Sequence, residues 1–364
     1  MHVAFVIYGS LDEISGGFLY DRHLVHHLQR RGHHVTVVAW PWRSYVRSLY
    51  DNFSHYVARQ LGNNELDLIL QDQLVHPSCF HLNRRLRRAV RTPIVSLIHL
   101  LRHSQSWPRW QHRLYHGVER RYLATVDGFI FVNRQIEARV RAMRAVMPPG
   151  VIASPAGDHL DGALTPDDIW RRAQRSGPLK IAFVGNLTPL KGLHVVLQAL
   201  AQMPLDSWCL TVMGSLDRDP SYVRRIRHEV AAQGWEARVK LLGVVSQVEV
   251  SAHLAQSDLF AVPSNPESYS IAYLEAMSHG LPVVAHVQSD SADLVEPGIS
   301  GFHMQPGDAQ GLAGHLRALA LDRPRLGHMS LAARKRFLRL PTWEQSMSRA
   351  VQFLEHMVAD GRCA

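Results

Sequence analysis

The chain is short of cysteine, has no long apolar run and carries no excess of acid. Its three cysteines, Cys79, Cys209 and Cys363, are widely spaced in 364 residues. That excludes a disulfide framework or a metal knuckle and suits reduced thiols in a cytoplasmic setting. No apolar stretch approaches the ~20 residues needed to cross a bilayer. The chain runs straight into a strand-like Val3-Ala4-Phe5-Val6-Ile7, without a signal-peptide pattern. It has no short-period repeat and no low-complexity segment. No GxGxxG follows the first strand, and Ala39-Trp40 offers no acid at the end of the second. Both absences argue against a nicotinamide dehydrogenase.

What is present begins with charge. The net charge is +9, which attracts anionic ligands, anionic lipid or nucleic acid. No helix-turn-helix, zinc finger or RNA-recognition motif accompanies it, and the basic residues are spread along the chain, so a nucleic-acid-binding protein is the weaker alternative. His23, His26 and His27 share helical spacing, but no carboxylate or cysteine joins them in a metal-binding pattern. They read as a solvated helix face.

The length suggests two domains of about 100–200 residues. Strand candidates fall near 2–8, 34–39, 66–70, 93–99 and 127–132, then near 180–185, 208–213, 238–242, 258–263 and 282–286. They are rich in Val, Ile and Leu without polar alternation, and they alternate with helical patterns. That predicts an α/β fold of two Rossmann-like, doubly wound parallel sheets. The polar stretch from Arg171 to Pro178 reads as a linker between the halves.

The most informative stretch holds Glu267 and Glu275 with seven residues between them. Ile271 to Ser278 reads as a short helix, with Ser270 at its N-cap and Gly280 just past its end. Glu267 then lies in the turn before the helix, and Glu275 lies roughly 7 Å along it. Between the two carboxylates are the free N–H groups of a helix start, an anion site. A sugar nucleotide, with hydroxyls on either side of its phosphates, matches that order.

Other loops follow the strands. Gly185-Asn186-Leu187-Thr188-Pro189-Leu190-Lys191-Gly192 places a lysine at a helix start, where its ammonium could meet a diphosphate. Gly16-Gly17 opens a helix and would let backbone amides approach an anion, or is simply a flexible loop. His99 ends a strand, either packed or facing a cleft.

Together these residues resemble the retaining GT-B-fold glycosyltransferases, glycosyltransferase family 4 or "group 1". The likeness rests on the Gly-Gly loop, the Gly185…Lys191-Gly192 loop, the Glu267…Glu275 pair with the following Ala276 to Ala285, and Glu296 to Phe302. The resemblance implies an acceptor-binding domain at 1–172, a donor-binding domain at 173–342 facing it across a cleft, and a helix at 343–364 returning to the first domain. It implies that Glu275 binds the ribose and Glu267 the transferred sugar. Lys191 and the amides of Ser270 and Ile271 would hold the diphosphate. Gly16 and Gly17 would approach it from the facing domain, His99 would lie near the reacting sugar, and Val244 and Val245 would line the base. Asn186 stands where many relatives carry Arg, so one charged, bidentate donor is missing.

The expected reaction is metal-independent transfer of a hexose-type sugar from a UDP- or GDP-sugar to a hydroxyl, with no cofactor. Another GT-B enzyme, such as a nucleotide-sugar epimerase, is the alternative. Phe80 to Arg91 reads as a basic amphipathic helix, either an outer helix with a solvated arginine face or a contact for anionic membrane. Arg102 to Arg121, with Trp107, Arg109, Trp110 and Arg113, reads as part of an acceptor pocket or as a packed helical insertion.

Overall fold

A computed structural model describes residues 1–54, 61, 65–89, 91–105, 107–160, 164–264 and 269–363. Glu267, and Val90 of the arginine-rich stretch, lie outside the described residues. The chain forms two compact units, Met1–Pro155 with Thr342–Ala364, and Ala156–Pro341.

The first unit is built on a six-stranded parallel sheet in the order β2-β1-β3-β4-β5-β6. Its strands are β1 (His2–Tyr8), β2 (His34–Trp40), β3 (Leu68–Asp72), β4 (Ile94–Ile98), β5 (Gly128–Phe131) and β6 (Gly150–Ile152). β3 and β4 are buried along their whole length, which explains their unbroken apolar runs. The helix Trp343–Cys363 packs on the helix Gly16–Arg30. Trp343 stacks on His23 at 4.0 Å between ring centroids.

The second unit repeats the plan in the order β12-β11-β10-β7-β8-β9. Its strands are β7 (Leu179–Val184), β8 (Trp208–Met213), β9 (Val239–Gly243), β10 (Leu259–Ala261), β11 (Val283–His286) and β12 (Gly301–Met304). In each sheet the chain builds outward to one side and then returns to the other. The reversal falls between β1 and β3 in the first sheet and between β7 and β10 in the second. Such a reversal leaves a crevice beyond the strands' carboxyl ends, where open α/β sheets bind ligands.

Two short strands escaped the sequence pattern. β6 has three residues and β12 alternates partly buried His303 with buried neighbours, so neither shows a long apolar run.

The division between the units also differs from the expected 172/173. The stretch from Arg171 to Pro178 is not a solvated linker throughout. Its first three residues end the helix Pro166–Ala173, which packs on the helix Arg323–Phe337. Arg172 is buried and donates to the carbonyls of His279 at 2.8 Å and Gly280 at 2.7 Å. A cation there satisfies the carbonyl end of the helix Ile271–Ser278 and opposes its negative pole. Burial lowers the Arg172 pKa to about 10, with the nearby charge of Asp258 working against that shift.

Replacing this side chain leaves buried carbonyls unpaired. Arg172→Met should therefore cost about 3 kcal/mol of stability. Chemical denaturation checks this, and an unchanged midpoint would contradict the role given to Arg172.

Candidate donor-binding site

The site in the second unit is assembled at the reversal between β7 and β10. After β7 the chain passes Gly185 and makes a short turn, Pro189–Lys191. The stem of Lys191 folds over Gly185, its Cδ lying 3.5 Å from where a side chain on Gly185 would begin. Gly192 follows with φ +77°, and a Cβ there would come within 2.8 Å of the Pro263 carbonyl. A glycine is needed at that point on both counts. The Lys191 turn is thus seated on the exit of β10, immediately before the segment that contains Glu267.

The helix Ile271–Ser278 begins at Ser270, as the sequence pattern predicts. The Ser270 side chain makes no capping bond. Its backbone N–H donates to Ser291 Oγ at 2.7 Å, inside the protein. The amide expected to face a phosphate is therefore already occupied, and the first helical turn beyond it is what remains for an anion. Asn186 also has an internal task. Its Oδ1 accepts the Ser215 N–H at 3.2 Å, joining the loops after β7 and β8.

Glu275 sits one and a half turns into the helix with its side chain 12% exposed. Its Oε1 lies 2.9 Å from His159 Nε2. His159 comes from the first segment of the unit, which lies tightly along this helix at Gly157. A Cβ on Gly157 would lie 2.6 Å from the Leu274 carbonyl carbon and 2.9 Å from the Glu275 nitrogen. The Glu275 carboxylate and the His159 ring are at ion-pair distance without hydrogen-bond alignment, and the carboxylate is still reachable by a ligand hydroxyl. The helix ends at His279, whose Nδ1 meets the Glu275 carbonyl at 2.8 Å and whose Nε2 meets Ser251 Oγ at 2.9 Å. Burial lowers the His279 pKa, so its ring is neutral and Nδ1–H is the donor.

Val244 and Val245 follow β9, at the edge of the sheet. Val244 is exposed, and Val245 packs partly on the core. Gly185, Lys191, Ile271 and Glu275 therefore belong to one end of one sheet.

In the first unit, Gly16 and Gly17 are the opening residues of the helix Gly16–Arg30, capped by Ser15. His99 lies just past β4, with Nε2 3.0 Å from Asp21 Oδ1. The segment 102–121 is mainly packed structure. Buried Glu119 accepts the N–H groups of Arg102 and His103, and the Arg102 guanidinium lies over the rings of Tyr45, Trp107 and Tyr115. In the helix Leu82–Ala89, Leu82 and Leu86 are buried while Arg84, Arg87 and Arg88 face outward, with Arg87 paired to Asp127. Among the described residues, no helix is long and apolar enough to cross a membrane.

Sequence reasoning missed His159, Asp21, Asp72 and Ser291. Asp72 was the most accessible of these. Its strand was expected to stop at residue 70, but β3 continues two residues further and carries this acid to the carboxyl edge.

Known proteins share this fold, and part of the chain matches a family model. A family model described as glycosyl transferases group 1 matches residues 165–336. The amylovoran biosynthesis glycosyltransferase AmsK of Erwinia amylovora is 33% identical over 165 residues, 43% of this chain and 40% of AmsK. The chain thus matches less than half the length of this curated relative. Sucrose-phosphate synthase of Thermosynechococcus elongatus superposes with a TM-score of 0.83 at 20% identity, over 99% of this chain and 100% of that one. HepE of Anabaena, solved in complex with UDP-glucose, superposes with a TM-score of 0.76 at 20% identity, over 98% and 100%. The fold is GT-B, and residues 165–336 of this chain match the group 1 glycosyl transferases.

The fit at Gly157 can be tested directly. Gly157→Ala should cost about 1–3 kcal/mol, because the added methyl meets backbone rather than a yielding side chain. An unchanged thermal midpoint would show that the segment bearing His159 does not lie where described.

Proposed function

We propose that the chain is a retaining glycosyltransferase of carbohydrate biosynthesis. It takes a hexose-type sugar from a UDP- or GDP-sugar to an acceptor hydroxyl, without a metal ion or cofactor. The observation that carries this reading is the placement of Lys191 on the loop after β7, and of Glu275 with the first turn of Ile271–Ser278 on the segment after β10, at the strand-order reversal of the second sheet. The group 1 match over this unit supports it, as does a HepE structure holding a nucleotide sugar on the same fold.

Glu275, steadied by His159, accepts hydrogen bonds from the ribose hydroxyls. Lys191 and the amides at the helix start oppose the diphosphate charge. Glu267 serves the transferred sugar, and Val244 and Val245 the base. In the reaction the bond between the anomeric carbon and the diphosphate oxygen breaks as the acceptor oxygen bonds to that carbon from the same face. The acceptor's proton leaves with the diphosphate. The first unit binds the acceptor, with His99 among the residues it uses.

Lys191→Ala should lower kcat by about 10²–10³ while leaving the fold intact. Release of nucleoside diphosphate from UDP-, GDP- and ADP-sugars measures this, and unchanged turnover removes Lys191 from the site. The same release should persist in EDTA, and restoration only by Mg²⁺ or Mn²⁺ would contradict metal independence.

The outward face of Arg84, Arg87 and Arg88 supports peripheral contact with anionic membrane at the cytoplasmic side. Sedimentation with phosphatidylserine vesicles at low salt should carry the protein down. Failure to do so would retire the contact.

A further inference from the structure

A second group of ionisable side chains converges in the first unit, at the carboxyl ends of β3 and β4. Asp21 comes from the helix Gly16–Arg30, Asp72 ends β3, and His99 follows β4. One ligand-type atom from each lies within 4.8 Å of the other two. Asp21 is fully buried and Asp72 is 2% exposed. Asp72 Oδ1 accepts the Leu74 N–H at 2.7 Å. Asp21 Oδ1 meets His99 Nε2 at 3.0 Å, but Asp21 Oδ2 has no hydrogen-bond partner. The Tyr20 ring stands edge-on to the imidazole, 5.1 Å away between centroids, and its hydroxyl is tied to the Ala153 carbonyl.

Two adjoining buried carboxylates cannot both keep their charge unless something neutralises them. A single proton would do so. Burial, then the neighbouring Asp21, pushes Asp72 up to about 7, and a proton held there would supply the donor that Asp21 Oδ2 lacks. Burial alone would lower the His99 pKa. The hydrogen bond and charge of Asp21 lead the contributions that outweigh it and raise the value above that of an ordinary histidine, and Asp72 adds to the rise only to the extent that it is ionised. The ionisable groups facing His99 are Asp21 and Tyr20 from the helix and Asp72 from β3. Tyr20 stays neutral, because burial raises its pKa.

We propose that Asp21, with a protonated Asp72 behind it, is a positioning residue that holds His99 as an imidazolium. Its Nε2–H is committed to Asp21, so its Nδ1–H is the donor offered to a substrate oxygen. This deepens the glycosyl-transfer reading and rests on it for its catalytic consequence. The charge state itself is a property of the resting protein.

The sign follows from the shift. A histidine whose pKa rises on folding keeps its charge below the folded value and loses it as pH climbs through that value. Transfer should therefore fall on the alkaline side of a His99 titration above about 6.5.

The test is NMR titration of the histidine ring protons, with the His99 signals assigned by their loss in His99→Gln. In the unaltered protein the His99 midpoint should lie above about 6.5, and a midpoint at or below that value overturns the proposal whether or not any variant folds. Asp21→Asn should lower the midpoint by more than about one unit, a tenfold loss of imidazolium at a fixed pH above it. Asp72→Asn, which resembles the neutral acid, should move the midpoint by less than about half a unit. Equal shifts in both variants would make Asp72 a charged partner and overturn the shared proton. Broadening of the His99 signals by micromolar Mn²⁺, abolished in both variants, would overturn it in favour of a metal site. In donor turnover, Asp21→Asn should move the alkaline limb of kcat to lower pH with little change in donor KM. A His99 midpoint raised as expected, with no transfer to any acceptor, would count against the proposed function and not against the charge state.

Discussion

The candidate donor site depends on one topological constraint, the reversal of strand order beside β7. Parallel strands joined by right-handed crossovers can cover both faces of a sheet with helices only by building to one side and then the other. Where the direction changes, two neighbouring strands send their following loops apart and leave a crevice between them. Here those loops carry Lys191 on one side and the stretch through Glu267 into the helix Ile271–Ser278 on the other. Backbone contacts hold them together. Gly192 sits against the Pro263 carbonyl, and Gly157 lies along the turn that bears Glu275.

The same constraint operates in the first unit, with a different chemical result. Its reversal lies between β1 and β3. The helix after β1 brings Asp21, β3 brings Asp72, and the adjoining β4 brings His99. The second unit gathers groups suited to phosphates and hydroxyls. The first gathers acids around an imidazole, out of water, where a single proton decides the net charge. One architecture, used twice, thus presents two kinds of electrostatic environment.

Much of this was legible from sequence because burial on both faces of a parallel sheet leaves a plain apolar signature. Ten strands could be read that way, and Ser270 and Gly280 marked the bounds of the helix Ile271–Ser278, whereas Lys191, expected at a helix start, lies in a short turn before the helix that begins at Leu193. What escaped depended on contacts between residues distant in sequence. Nothing local marks His159 as the partner of Glu275, since their meeting depends on Gly157 lying against the helix. Ser291 occupies the Ser270 amide from 21 residues away. Arg172 looked like part of a polar linker because composition does not show that its guanidinium serves two buried carbonyls. The short edge strands β6 and β12 carried too few residues for a pattern.

The central claim is that the end of the second sheet around Lys191 and Glu275 holds a nucleoside diphosphate. Calorimetric titration with UDP and GDP, beside a random oligonucleotide, tests it most directly. The account predicts saturable binding of at least one of the two nucleotides, weakened by about tenfold or more in Glu275→Ala, a loss of about 1.4 kcal/mol or more. No binding of either nucleotide, or binding indifferent to Glu275 while the oligonucleotide binds tightly, would contradict it.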